Sequence, residues 1–167
     1  MDFLGAVLYD NGMEQALTVR DVMTRDVITV GPDMQVISAA MVLDKNNIDG
    51  VPVVSTEGIL EGILTEYDLI SKGSAIHLPT FISILQNLAV FRKDRGQFKK
   101  EVNELALLKV RDLMNPDPLT LSENATFEET VAAFRDHHRV NPIPVVDKSN
   151  KVVGVVSRYD VLKPFHV

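Results

Sequence analysis

The chain contains no cysteine, which excludes disulfide frameworks, thiolate zinc sites and cysteine nucleophiles together. Tryptophan is absent and aromatic residues are only 6% of the chain, so platforms for stacking unpaired bases are poorly supplied. Positive charge is in deficit: 17 Lys+Arg face 23 Asp+Glu, for a net charge of -6. A dedicated nucleic-acid binder normally shows a basic face, so the balance argues against nucleic acid as a partner. It leaves an anionic small molecule open, because a local site can oppose the global sign. Long apolar runs are lacking as well. The longest, Phe81 to Phe91, falls well short of the ~20 residues a membrane-crossing helix needs. The first residues carry an early acid, Asp2, and no basic flank, so they do not read as a signal peptide. A cytoplasmic protein without membrane insertion is the expectation. Glycine-rich phosphate loops and the nucleophile elbow of serine hydrolases are also missing.

What is present is enough apolar residue, 46%, to bury a core and offset chain entropy. The length of 167 residues allows one ordinary domain or two small ones. The chain also repeats itself. Val19-Arg20-Asp21-Val22-Met23 recurs 91 residues on as Val110-Arg111-Asp112-Leu113-Met114, and Asp26 and Thr29 find Asp117 and Thr120 at the same shift. Val51-Pro52-Val53-Val54 recurs 92 residues on as Ile143-Pro144-Val145-Val146. That shift also carries Gly62-Ile63-Leu64-Thr65-Glu66-Tyr67-Asp68 onto Gly154-Val155-Val156-Ser157-Arg158-Tyr159-Asp160. One residue has been inserted between the blocks, near Arg139 to Pro142. The chain is a tandem of two like units. We divide it into an N-terminal segment (1–17), unit 1 (18–71), a helical insertion (72–108) and unit 2 (109–167).

Each unit opens on the polar Val-Arg-Asp block. A short strand is predicted next, over Val27 to Val30 or Pro118 to Leu121. A helix follows. In unit 1, Asp33 is the expected N-cap before Val36, Ala39, Ala40 and Leu43, which recur at helical spacing. In unit 2, Asn124 or Thr126 caps, Glu128 and Glu129 favour the first turn, and Phe127, Val131 and Phe134 form the inner stripe. Two strands and a hairpin turn follow: Ser55-Thr56-Glu57-Gly58 in one unit, Asp147-Lys148-Ser149-Asn150 in the other. A last helix starts at Thr65 or Ser157. Each has an acid three residues on, Asp68 or Asp160, which is capping-box spacing. Pro164 is expected to end the second copy. A strand–helix–strand–strand–helix unit of ~55 residues buries only ~60% of its surface. The two copies are therefore expected to pack their sheets together.

These blocks resemble cystathionine-β-synthase (CBS) domains, and two in tandem resemble a CBS pair, or Bateman module. The resemblance rests on the Val-Arg-Asp-x-Met start, the Pro-Val-Val strand and the Gly-x-x-Thr/Ser-x-x-Asp ending, in order, twice. It implies an α/β fold of two units related by a pseudo-two-fold axis, assembling further into a homodimer. It also implies a regulatory protein and no enzyme. Clefts between the units would bind an adenine nucleotide (AMP, ADP or ATP) or S-adenosylmethionine as a regulatory ligand, with no cofactor required, and an effector on another chain would read the change. By resemblance, one cleft joins Gly62, Thr65 and Asp68 to Pro118, Leu119, Val140 and Asn141. The other joins Gly154, Ser157, Arg158 and Asp160 to Val27, Ile28, Ile48 and Asp49. The chemistry fits. A carboxylate at a helix start accepts ribose hydroxyls, a nearby Thr or Ser donates to phosphate, and apolar walls flank a base.

The chain departs from the family where nucleotide-binding members often carry a basic residue, two positions before the Pro of Pro-Val-Val; Gly50 and Pro142 stand there. His138, Arg139 and Arg158 are nearby substitutes in unit 2, whereas unit 1 has Glu66 in place of Arg158. On sequence, the cleft of Ser157, Arg158 and Asp160 is therefore expected to hold a phosphorylated ligand better, although Asp49 lies on its other wall. A ligand-free dimerisation or interaction scaffold is the alternative function. Asp68 and Asp160 would then serve only as helix caps. Adjacent His137 and His138 point about 100° apart on a helix and do not suit one metal ion. Between the units, Phe81, Ile82, Ile84, Leu85, Leu88 and Phe91 predict a helix after Thr80, and Gln97 to Leu108 a second, as module edge or partner surface. Tyr67 and Tyr159 read as packing residues with a wet hydroxyl.

Overall fold

The first short helix of each unit packs into the core of the other. This computed structural model describes residues 17–71 and 107–163. In unit 1 these comprise α1 (Val19–Val22), α2 (Val36–Asn46), β1 (Gly50–Val54), β2 (Leu60–Thr65) and α3 (Glu66–Ser71). Unit 2 comprises α4 (Val110–Leu113), β3 (Leu121–Ser122), α5 (Phe127–Asp136), β4 (Ile143–Val146), β5 (Val152–Val156) and α6 (Arg158–Leu162). One core gathers Val36, Ala39, Ala40 and Leu43 of α2, Val51 and Val53 of β1 and Leu64 of β2, and is completed by Val110 and Leu113 of α4. The other gathers Phe127, Phe134, Ile143, Val145 and Val156, and is completed by Val19 and Val22 of α1. Backbone hydrogen bonds fix the exchange: Val19 N to Ala125 O and Phe127 N to Leu17 O, matched by Val110 N to Met34 O and Val36 N to Leu108 O, all 2.8–2.9 Å. Neither unit closes its core alone, which is the physical answer to their small size.

The Val-Arg-Asp blocks were expected only as polar starts; the structure makes them helices. Thr18 N and Oγ1 donate to Asp21 Oδ2 at 2.8 Å, and Lys109 N donates to Asp112 Oδ2 at 2.8 Å. The Asp thus caps a single turn whose two apolar residues face the opposite core.

Repeat mates contact one another, which demonstrates the pseudo-two-fold axis. Thr18 bridges Thr126 and Gln35 bridges Lys109; Thr24 bridges Val155 and Ile63 bridges Asn115. Each of these pairs maps onto the other under the repeat. Ile59 and Lys151, which are mates, bridge each other. Leu60 N donates to Asn150 O (2.9 Å) and Val152 N to Gly58 O (3.2 Å) across the same point. The axis passes between the two hairpins, and the sheets β1–β2 and β3–β4–β5 meet there. Both hairpin turns place a left-handed residue at the matching position, Gly58 (φ 81) and Asn150 (φ 59), a conformation that Gly and Asn tolerate best.

Three local expectations are corrected. Asp33 does not cap α2. Its N-cap is Gln35, without a side-chain bond, because the Asp33 carboxylate is held by Lys109 and Arg111 from the exchanged segment. The strand expected over Val27 to Val30 reduces to one parallel bridge, Val30 to Val53; Gly31 and Pro32 follow at once, and proline cannot extend a ladder. Its counterpart starts later than expected and pairs Leu121 and Ser122 parallel to β4. In α5 the cap is Thr126, which accepts from Glu129 N at 3.1 Å while Glu129 Oε2 accepts from Thr126 N at 2.8 Å. The helices expected between the units after Thr80, and the stop at Pro164, lie outside the described residues.

Candidate functional site

Each final helix begins with the same arrangement. Thr65 N and Oγ1 donate to Asp68 Oδ2 at 3.0 and 2.6 Å, and Asp68 N donates back to Thr65 Oγ1 at 3.3 Å. In the mate, Ser157 N and Oγ each donate to Asp160 Oδ2 at 2.7 Å, and Asp160 N returns to Ser157 Oγ at 3.3 Å. Both carboxylates are buried, at 6% and 5% exposure. A buried carboxylate at a helix start is worth keeping only when its hydrogen bonds are made. Asp160 Oδ1 also meets Lys163 Nζ at 2.5 Å. Burial raises the Asp160 pKa, but bonds from Lys163 and Ser157 outweigh it and leave the carboxyl below its usual range.

Glycine brings the opposite unit onto these strands. A Cβ on Gly62 would stand 2.6 Å from Asn115 O and 2.9 Å from Met114 Sδ; on Gly154 it would stand 2.5 Å from Met23 Sδ and 3.2 Å from Thr24 O. The paired bonds between Ile63 and Asn115, 2.9 Å each, then deliver Pro118 and Leu119 to the end of β2.

The first cleft is a cavity of about 240 Å³ lined by both units. Thr65, Tyr67 and Asp68 line it from unit 1, and Pro118, Leu119 and the run Arg139 to Pro142 line it from unit 2. The structure thus brings together Thr65, Asp68, Pro118, Leu119, Val140 and Asn141. Tyr67 and Arg139 complete the rim. The Arg139 guanidinium lies 6.0 Å from the centre of the Tyr67 ring, with Nη1 3.5 Å from its hydroxyl. Tyr67, read from sequence as packing, is 53% exposed and lines the cavity.

On the second side, the bridge of Thr24 to Val155 brings the segment of Val27 and Ile28 toward Ser157 and Asp160. Val27 is half-buried, Ile28 is exposed, and Ile48 packs against the first core. Asp49 stands at the axis, where its Oδ2 accepts from Asn141 Nδ2 at 2.6 Å. These two residues are repeat mates, one from each cleft wall.

Arg158 is exposed at the start of α6 and reaches the loop after α5. Its Nη2 donates to the carbonyls of His138 (2.8 Å) and His137 (3.3 Å), its backbone N donates to Asn141 Oδ1 (3.0 Å), and its guanidinium lies 5.3 Å from the Phe134 ring centre. The side chain therefore braces the loop after α5, a wall of the first cleft. The backbone N of Glu66, its mate, donates to Asp49 O at 2.9 Å. Partial withdrawal from water, then Asp49 and Asp44, raise the Glu66 pKa above the ordinary glutamate value.

His137 is the C-cap of α5 and His138 lies in the turn beyond it, and no cluster of metal-ligating side chains exists among the described residues. No helix among them is long and apolar enough to cross a membrane.

The CBS domain model matches residues 19–74 and 110–166, and the chain belongs to the CBS domain family as a tandem pair. A CBS domain-containing protein of Dictyostelium discoideum is 29% identical over 144 residues, which are 86% of this chain and 88% of that protein. Homoserine O-acetyltransferase of Methanosalsum zhilinae is 28% identical over 153 residues; the match takes in 91% of this chain but only 25% of the length of that relative. Among solved structures, the CBS-pair protein CBSX2 of Arabidopsis thaliana superposes with a TM-score of 0.65 at 26% identity, covering 89% of this chain and 94% of that one. CBSX2 has also been solved in complex with AMP, at 24% identity and a TM-score of 0.64 over 88% and 94% of the two chains.

Proposed function

We propose that this chain is a regulatory CBS pair that binds an adenine nucleotide or adenosyl compound between its units and signals to another chain by conformational change. The observation that supports this best is the inter-unit cavity of about 240 Å³, in which buried Asp68 and Thr65 face the apolar Pro118, Leu119 and Val140. An acceptor at one end and an apolar slot at the other suit a ribose joined to a flat base. The complex of CBSX2 with AMP supports the ligand class. Because Asp68 belongs to one unit and Pro118, Leu119, Val140 and Asn141 to the other, a ligand touching both favours one inter-unit angle over others. The exchanged α1 and α4 couple that angle to both cores. A second copy and an effector on a separate chain are the expected readers of the change.

The alternative, a scaffold with no ligand, is favoured by one observation. A Cβ on Gly50 would stand 2.8 Å from Pro142 Cδ, so the positions where relatives often carry a basic residue are committed to packing at the axis. Thermal denaturation with AMP, ADP, ATP and S-adenosylmethionine separates the readings. A ligand at 100 times its Kd adds ~2.7 kcal/mol. Stabilisation of the wild type that Asp68→Asn abolishes supports the sensor. Unchanged melting with every one of these ligands at millimolar concentration supports the scaffold.

A further inference from the structure

We propose that Met23 and Met114 form a paired methionine-oxidation site, at which sulfoxide formation by hydrogen peroxide loosens the contact between the two units. The chain has six methionines and no cysteine, so thioethers are its only oxidisable sulfur. Met23 and Met114 are repeat mates and close the single turns α1 and α4 as their C-caps. Each sulfur packs on a glycine of the opposite unit's strand. A Cβ on Gly154 would stand 2.5 Å from Met23 Sδ, and a Cβ on Gly62 would stand 2.9 Å from Met114 Sδ. Both side chains are half-buried, so a small oxidant reaches them although the side toward the strand is filled. Peroxide transfers one oxygen to the thioether sulfur, which gives up two electrons; the O–O bond breaks and water leaves. The product is a sulfoxide, a polar group in place of a flexible apolar one. Its oxygen is a strong acceptor set beside donors that are already committed. Met23 N and Met114 N donate to Val19 O and Val110 O at 2.8 Å. The next amides, Thr24 N and Asn115 N, donate across the unit boundary to Val155 O and Ile63 O at 2.9 Å. An oxygen turned toward the strand collides with the glycine, and one turned toward these amides competes with the carbonyls across the boundary. Oxidation therefore weakens the bridges of Thr24 with Val155 and of Ile63 with Asn115. Ile63 and Asn115 also line the first cleft, so oxidation of Met114 reaches that site. Two electrons from a dithiol return the thioether, and the oxygen leaves as water. Met41 is 49% exposed on α2 and belongs to neither bridge, so its oxidation carries no such consequence.

The test is hydrogen exchange and thermal denaturation of the full chain before and after hydrogen peroxide, with the oxidised positions assigned by peptide mass spectrometry. Oxidation of Met23 and Met114 in the folded wild type is expected to speed exchange of the Thr24, Ile63, Asn115 and Val155 amides by about 5- to 100-fold, the range for a polar group buried without a partner, and to lower Tm. A methionine sulfoxide reductase supplied with a dithiol is expected to restore both; no restoration overturns the reversal. The double variant Met23→Leu with Met114→Leu keeps the apolar volume and is expected to hold its exchange rates and Tm at the same dose, although Met41 is oxidised. Met41→Leu is expected to respond as the wild type does. Met23 and Met114 left reduced at a dose that fully oxidises Met41 overturn the site. Unchanged exchange at the four amides with both methionines oxidised overturns the effect on the unit contact. An equal loss of Tm in the double leucine variant assigns the damage to another methionine and overturns the proposal as well. The wild-type exchange rates decide the matter by themselves if the leucine variant does not fold.

Discussion

The two final helices of this CBS pair begin on the same backbone plan and differ in the residues around it. Each begins with a cap around a buried carboxylate, Asp68 or Asp160, and each preceding strand is approached by the other unit over a glycine. Their difference comes from residues that the repeat leaves unequal. Arg158 stands where unit 1 has Glu66, Asn141 where it has Asp49, and the extra residue of unit 2 falls in the loop of Arg139. The comparison teaches that duplication preserves the packing rules and releases the charge. It also shows how far a side chain can reach: Arg158 turns to the loop after its own unit's long helix.

Several changes break or sharpen this comparison, the largest first. Leu113→Ala removes a side chain that unit 2 lends to the core of unit 1, where it is 6% exposed. Chemical denaturation is expected to show a loss of ~2–5 kcal/mol in one cooperative transition. Two separate transitions would mean that the exchange does not couple the halves. Gly62→Ala and Gly154→Ala compare the two close approaches. The first meets backbone oxygen at 2.6 Å and the second a flexible methionine sulfur at 2.5 Å. Overpacking costs ~1–3 kcal/mol, and Gly62→Ala is expected to lose more in the same measurement; equal losses would refute the difference in give.

Smaller effects sit at the helix starts and in the titration. Thr126→Ala removes a formed capping box and is expected to cost ~1 kcal/mol, whereas Gln35→Ala, at a cap without a side-chain bond, is expected to change thermal stability hardly at all. Asp160 has a lowered pKa in the folded protein, so its stabilisation holds above the unfolded carboxyl value and is lost as pH falls through the folded one. Glu66 has a raised pKa, so its ionisation costs stability near neutrality and that cost is relieved as pH falls through the raised value. Glu66→Gln is expected to raise Tm slightly at pH 7, with the gain vanishing in mild acid. A Tm lowered at pH 7 would contradict that cost.

Much of the molecule was legible in the sequence because the repeat is written in chain order. The doubled Val-Arg-Asp, Pro-Val-Val and Gly-x-x-Thr/Ser-x-x-Asp blocks define the units and the capping pairs at Asp68 and Asp160. What escaped is what depends on contacts between the units. Asp33 has the right residue type and place for a cap, yet two cations from 76 and 78 residues away take its carboxylate. The exchange of α1 and α4 has no periodicity to announce it. The capping pair Thr18 and Asp21 was the one available hint that the first block is a helix. The reach of Arg158 to the His137 and His138 carbonyls is visible only in three dimensions. Tyr67 and Arg139 stand 72 residues apart, and only the fold places them on one rim.

The most direct measurement of the central claim is calorimetric titration of AMP into Asp68→Asn and Asp160→Asn, each first matched to the wild type by thermal denaturation. The account predicts that Asp68→Asn abolishes binding and that Asp160→Asn retains one site of near wild-type affinity. Loss of binding in Asp160→Asn with full retention in Asp68→Asn would contradict it.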